Sequence, residues 1–221
     1  AFDSREAAFE LIDGEVGDVL DETLAEKGFT ALGYMELGFR HVTNSERPLE
    51  TIEDFQGLKI RLQPNETHLD TFRAIGASPV SMDINEVYGA LQQGVLDGQE
   101  NPYSIISTKR MDEVQQYLSD SGHFYDFIVV VINRDTFMSL SEEHQQAVDA
   151  AMEEAVAWQR QTAAEEDEAA RETLVERGMV FTPISDETRA ALREASHDVI
   201  DDLREKIGTE IVDRVLTELD A

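Results

Sequence analysis

The spacing of hydrophobic positions changes repeatedly along this chain, and each change predicts an element. Residues 4–27, SREAAFELIDGEVGDVLDETLAEK, predict helix interrupted near Gly14 and Gly17. The run FTALGYMELGFRHVTN that follows predicts mostly strand. TIEDFQG predicts a short helix: Thr51 caps it, Asp54 reaches back and Gly57 stops it. Next, Leu58, Ile60 and Leu62 alternate with Lys59, Arg61 and Gln63, the period of a half-buried strand. Alternation alone sends Lys59 and Arg61 together toward solvent. A helix over 65–75 ends at Gly76, and ASPVSM predicts a short strand.

DINEVYGALQQGVLDG carries the clearest helical pattern. Asp83 caps it, and Ile84, Val87, Tyr88, Leu91 and Val95 form one apolar face. EVQQYLSDS reads as strand, and HFYDFIVVVINR as an apolar strand buried on both faces. Strands separated by helices predict an α/β fold with parallel strands. From Ser141 to Gly178 there is no proline and no internal glycine. One helix of about 37 residues would run on the order of 55 Å. Val148, Met152 and Val156 give it an early apolar stripe, and Leu174 and Val175 a late one. The middle is polar, so the helix is expected to pack on one body, cross a wetter zone and pack on a second. The alternative is a kinked or broken pair of helices. A strand MVFTPI and helices over 186–206 and 208–219 close the chain.

Composition narrows the function. The chain has 221 residues, enough for one large domain or two modest ones, and 41% are hydrophobic, enough for a core. Its 47 acidic and 18 basic residues give a net charge of −29, which repels nucleic acid and anionic lipid heads. No cysteine is present, which removes disulfides, thiol nucleophiles and thiolate metal sites. No run approaches a transmembrane helix, so direct membrane insertion is not expected. No signal segment opens the chain, which is compatible with one having been removed.

The search for catalytic chemistry is negative. Dinucleotide, P-loop, zinc-protease and serine-hydrolase motifs are absent. The five histidines, at 41, 68, 123, 144 and 197, lack ligand spacing. The chain is therefore expected not to be an enzyme, and neither cofactor nor metal is called for. Three residues carry more information. Arg40 ends an apolar strand, where an arginine is ordinarily solvated. Arg61 sits mid-strand between Ile60 and Leu62. Asn101 precedes Pro102, which suits it to cap a helix starting at that proline. A helix N-terminus also favours anions, so capping and ligand contact are compatible.

Taken together, GFRHVTNSERP, DFQGLKIRLQ, GASPVSMDINEVYGALQQGVLDGQENP and YLSDSGHFYDF resemble the solute-binding proteins of TRAP transporters, the DctP-like family, in order and spacing. The resemblance runs over essentially the whole chain. It implies a two-lobed α/β fold of the periplasmic-binding-protein kind, with a long helix spanning both lobes and a ligand cleft between them. It places residues 1–37 and 127–166 in one lobe, and 38–126 and 167–221 in the other. Members usually carry about eighty further residues before the point where this chain starts. Without those strands, sheet edges and apolar surface are exposed, so the chain alone is expected to bind poorly or aggregate.

The same resemblance implies site residues. The family's carboxylate-clamping arginine matches Arg61, and its second arginine matches Arg40. Its cleft asparagine matches Asn101. Its aromatic or apolar contact matches Ile84, where some relatives carry phenylalanine. His123 matches a family histidine, with a core role as the plain alternative. Gln99 and Glu100 share the motif, and in some relatives help hold a cation. The implied function is periplasmic capture of an organic acid, a C4-dicarboxylate or a sugar acid such as a uronate, for delivery to the TRAP membrane permease. A sensory module that binds an organic acid through the same pocket is the alternative. Catalysis on an acid is a third reading that no residue supports.

Overall fold

The structure, a computed structural model, describes residue 2 and residues 4–219. Capping side chains set where many of its helices begin. Ser4 Oγ accepts from the Ala7 amide to open α1 (Arg5–Ile12). The break at Gly14 follows as expected, but α2 (Glu15–Glu26) runs through Gly17 without interruption. Then come β1 (Phe29–Asn44) and a 3-10 turn, Ile52–Phe55, closed by the Thr51–Asp54 capping box. β2 (Ile60–Leu62) leads to α3 (Glu66–Ala74), capped by Asn65, and to β3 (Val80–Ser81). Asp83 caps α4 (Ile84–Gln92), followed by β4 (Gly98–Asn101) and α5 (Tyr103–Thr108). β5 (Tyr117–Asn133), α6 (Arg134–Met138), α7 (Glu142–Glu176) and β6 (Val180–Pro183) come next. The chain closes with α8 (Asp186–Ala195), α9 (His197–Ile207) and α10 (Thr209–Leu219).

Further expectations fail as well. Val95 does not extend the apolar face of α4. Gly94 adopts φ +67° and the Val95 amide bonds back to Ala90, so the helix stops and Val95 is exposed. Asn101 is the last residue of β4 and not a cap; Pro102 stands at the N-cap and the helix begins at Tyr103. The late run of β5 is not buried on both faces: Ile128, Val129 and Val131 are exposed. The sheet is mixed, because β1 pairs antiparallel with β4 while β2–β3, β2–β4 and β5–β6 are parallel.

The chain forms two units. The first comprises Phe39–Phe124 and Asp167–Thr209, and the second Phe2–Gly38, Tyr125–Glu166 and the residues from Glu210 on. The C-terminal helix departs from the expectation that 167–221 stay together. Within the second unit, Val212 of α10 is buried and Arg214 pairs with Glu15 at 2.8 Å. α7 is unbroken over 35 residues, which dismisses a broken pair of helices. Of its late stripe Leu174 is fully buried, but Val175 is 42% exposed.

The sheet runs in the order β3-β2-β4-β1-β5-β6. In the first unit, register pairs Arg61 with Gln99, Gln99 with Thr43 and Asn101 with His41. Directly paired residues share a face, so these five line one side. Alternation puts Arg40, Val42, Ile60, Leu62 and Glu100 on the other. There Val42, Ile60 and Leu62 pack with Phe55, Leu69 and Phe72 in one core. A second core joins Val87 and Leu91 of α4 to Leu96, Tyr103, Leu118 and Leu174. In the second unit, Leu11, Ile12, Val16 and Phe137 are buried. Arg5 and Tyr125 converge on the Glu36 carboxylate at 2.6 and 2.8 Å.

Candidate functional site

A glycine sets the geometry of the site. A Cβ at Gly98 would lie 2.2 Å from the Thr43 carbonyl oxygen and 2.8 Å from Ile60 Cδ1. Only glycine lets β4 lie this close to its neighbours, and the next three residues of that strand are Gln99, Glu100 and Asn101. All three are buried.

Glu100 is the hub. Its carboxylate takes Arg40 Nε at 2.5 Å and Arg40 Nη2 at 2.8 Å, a bidentate fork. Arg40 Nη2 also donates to the Glu100 carbonyl at 3.0 Å and to Asn101 Oδ1 at 3.2 Å. His123 Nε2 lies 3.3 Å from the same carboxylate, and its Nδ1 lies 2.7 Å from Ser121 Oγ. Burial pushes the Glu100 pKa up. The Arg40 hydrogen bonds, with those from His123, overturn that and hold it at about 2. Burial pushes the His123 imidazole below its ordinary value, against the pull of Glu100. A salt bridge this dry persists only because both partners are hydrogen-bonded as well as paired.

Arg61 is placed differently. It is 3% exposed, although Lys59, of the same strand parity, is open to solvent. Its Nε donates to the Met82 carbonyl at 2.8 Å. Among the described residues no carboxylate lies within ion-pair distance of it, and its Nη atoms make no hydrogen bond. Those atoms are not sealed in, because among the described residues the one buried side-chain polar atom without a partner is Thr30 Oγ1. Burial lowers the Arg61 pKa from its ordinary value, and the field of Glu100 opposes that shift. A guanidinium stays charged regardless. The site therefore holds a buried cation, fixed at Nε, with its outer edge open.

The other sequence-derived positions fall around these two. Asn101 Nδ2 donates to Gln99 Oε1 at 2.7 Å, and Gln99 Nε2 to Thr43 Oγ1 at 3.0 Å. Both amides are thus oriented by neighbours. Ile84 opens α4, two residues after the carbonyl that holds Arg61, and packs at the edge of the second core. Glu100 was named from sequence only as a motif neighbour of Gln99, and its pairing with Arg40 was missed, because strand alternation does not single out one acid among 47. His41 was also missed. Its ring stacks on Tyr103 at 3.9 Å and its Nδ1 lies 3.1 Å from Asp120.

Comparison with known proteins places the chain in a family. The bacterial extracellular solute-binding protein family 7, DctP, matches residues 1–206. The chain belongs to that family. It is 37% identical over 196 residues to the 2,3-diketo-L-gulonate-binding periplasmic protein YiaO of Escherichia coli, covering 89% of this chain and 59% of that protein. It is 35% identical over 212 residues to the C4-dicarboxylate-binding periplasmic protein DctP of Rhodobacter capsulatus, covering 96% and 63%. The chain thus spans about three-fifths of the length of these curated relatives. Among solved structures it resembles the sugar acid binding protein DctPAm of Advenella mimigardefordensis, in complex with galactonate. The TM-score is 0.93 at 34% identity, over 99% of this chain and 71% of that one. The α/β fold is therefore that of the TRAP periplasmic solute-binding proteins. The family and these neighbours are solute-binding proteins, not enzymes. Among the described residues no helix is long and apolar enough to cross a membrane.

Proposed function

We propose that this chain captures an organic acid in the periplasm by its carboxylate and delivers it to a TRAP membrane permease. Arg61 is the clamp in this reading. One observation carries it: Arg61 is buried and cationic, yet has no carboxylate within ion-pair distance among the described residues. An unpaired buried charge is costly, and the cost is relieved when an anion arrives. With Nε held by Met82, the two Nη atoms form an end-on fork that matches a carboxylate in two parallel bonds. Arg40 and His123 act through Glu100, and Gln99 through Asn101, as positioning residues. Asn101, oriented by both Arg40 and Gln99, supplies a neutral donor and acceptor beside the clamp. Ile84 contributes an apolar contact. The relatives that bind a keto-sugar acid, a C4-dicarboxylate and galactonate support an organic acid as the solute.

Titration calorimetry with sugar acids, keto acids and dicarboxylates, on the wild type and Arg61→Ala, tests the reading. Hydrogen bonds to charged groups contribute about 1.5–3 kcal/mol each, so losing two should weaken binding by at least about a hundredfold. Equal affinities in the two proteins would sink the clamp.

A further inference from the structure

We infer that Thr43 and Gln115, two buried residues with no charge, are positioning residues for Asn101. With Gln99 they form a hydrogen-bond chain of one polarity, which fixes which way round the Asn101 carboxamide stands. The inference rests on Asn101 facing the solute, as proposed above. Register sets Gln99 between Arg61 of β2 and Thr43 of β1, all on one face of the sheet. Asn101 Nδ2 donates to Gln99 Oε1 at 2.7 Å, Gln99 Nε2 to Thr43 Oγ1 at 3.0 Å, and Thr43 Oγ1 to Gln115 Oε1 at 3.0 Å. Gln115, just before β5, then donates through Nε2 to the Val114 carbonyl at 3.0 Å and the Asp97 carbonyl at 3.3 Å. Thr43, Gln99 and Gln115 are at most 4% exposed, so a misdirected group among them goes unpaired.

Both ends of the chain are locked by groups with a single role. Carbonyl oxygens only accept, so the end of Gln115 that meets Asp97 and Val114 is its NH2. Its oxygen therefore faces Thr43 and takes the hydroxyl hydrogen. The Thr43 oxygen is left to accept from Gln99, whose own oxygen accepts from Asn101. At the other end Arg40 Nη2 only donates, and it meets Asn101 Oδ1 at 3.2 Å. Reversing every amide would set the Gln115 oxygen against two carbonyls and the Asn101 nitrogen against a guanidinium. Flipping Asn101 alone would set its oxygen against Gln99 Oε1. Asn101 spends one Nδ2 hydrogen on Gln99, and among the described residues nothing takes the second. The chain keeps that hydrogen available to an oxygen of the solute.

NMR of the side-chain amides, with galactonate as the calorimetric probe, tests this. Thr43→Val keeps the shape of the side chain and removes its hydroxyl. The Asn101 amide signals should then shift or broaden, although Gln99 stands between the two residues. Galactonate binding should weaken about three- to tenfold, the loss of one neutral hydrogen bond. Thr43→Ser, which restores the hydroxyl, should return both readouts to near wild type; a packing role would not be rescued by the smaller side chain. Unmoved Asn101 signals in a folded Thr43→Val protein would overturn the inference, as would wild-type affinity or a failed rescue by serine. If Thr43→Val does not fold, Gln115→Met removes the anchor at the far end and should move the same signals. Arg61→Ala binding galactonate as tightly as the wild type would overturn the clamp alone, because Thr43 acts on Asn101. If the wild type gives no heat with galactonate, the amide signals decide by themselves.

Discussion

Strand β5 contributes to both units, and its two halves meet different fates. In the first unit Leu118, Ser119 and Ser121 are buried. In the second, Ile128, Val129 and Val131 are at least 40% exposed, although this half is the more apolar. The same inversion holds more widely. The first unit buries Arg40, Arg61 and Glu100, while the second exposes Trp158 and Met138 at 67% and 57%. Within the first unit, buried charge goes with neighbours that satisfy it. The first unit supplies those neighbours: Glu100 for Arg40, Met82 for Arg61 Nε, Thr43 and Gln99 for the amides.

The comparison can be broken at its strongest point first. Arg40→Met leaves Glu100 buried without its cation, and should lower unfolding free energy by about 3–5 kcal/mol. Denaturant titration measures it, and a loss below 1 kcal/mol would contradict the buried pair. Next, Leu118→Ala in the buried half of β5 should cost about 2–5 kcal/mol by transfer and cavity formation. Arg61→Met should leave stability within about 1 kcal/mol of wild type, or raise it, because the residue it removes has no internal counter-ion. A fall as large as that of Arg40→Met would show that Arg61 is a structural cation. The smallest effect belongs to the exposed half of β5, where Val131→Thr should change stability by no more than about 0.5 kcal/mol.

Acid pH separates the same groups. The Glu100 carboxylate is held at about 2 against an ordinary 4.5. Its contribution to stability is therefore fully present above about 4.5 and is lost as pH falls toward 2. His123 titrates below its ordinary 6.5 in the folded protein, so the unfolded chain takes up that proton first. Stability should begin to fall as pH drops below 6.5, in the same direction. Thermal unfolding across this range should show both phases. In Arg40→Met, the loss below 4.5 should shrink, because without Arg40 burial raises the Glu100 pKa.

Local chemistry made much of the fold legible. The Thr51–Asp54 box, the Asn65 and Asp83 caps and the proline-free run of α7 each depend on residues close in sequence. The site was legible as a list of residues, through the motifs that resemble a family. Its internal logic was not. Glu100 belonged to the motif, but nothing nearby in sequence shows that it faces Arg40, sixty residues away. The same distance hid the role of Asn101, whose proline neighbour made a helix cap the natural reading.

By itself the sequence determined many of the strands and helices, the proline-free run that one long helix could fill, the acidic composition and the absence of thiol chemistry. Those follow from periodicity, capping and composition, which act over a few residues or over none. Only the tertiary structure decided which charges are paired. Lys59, just before β2, and Arg61 within it share one parity, yet one is solvated and the other buried. β3 and β4 flank Arg61, and the Met82 carbonyl holds its Nε. Electrostatic partnership depends on distance in space, and distance along the chain does not report it.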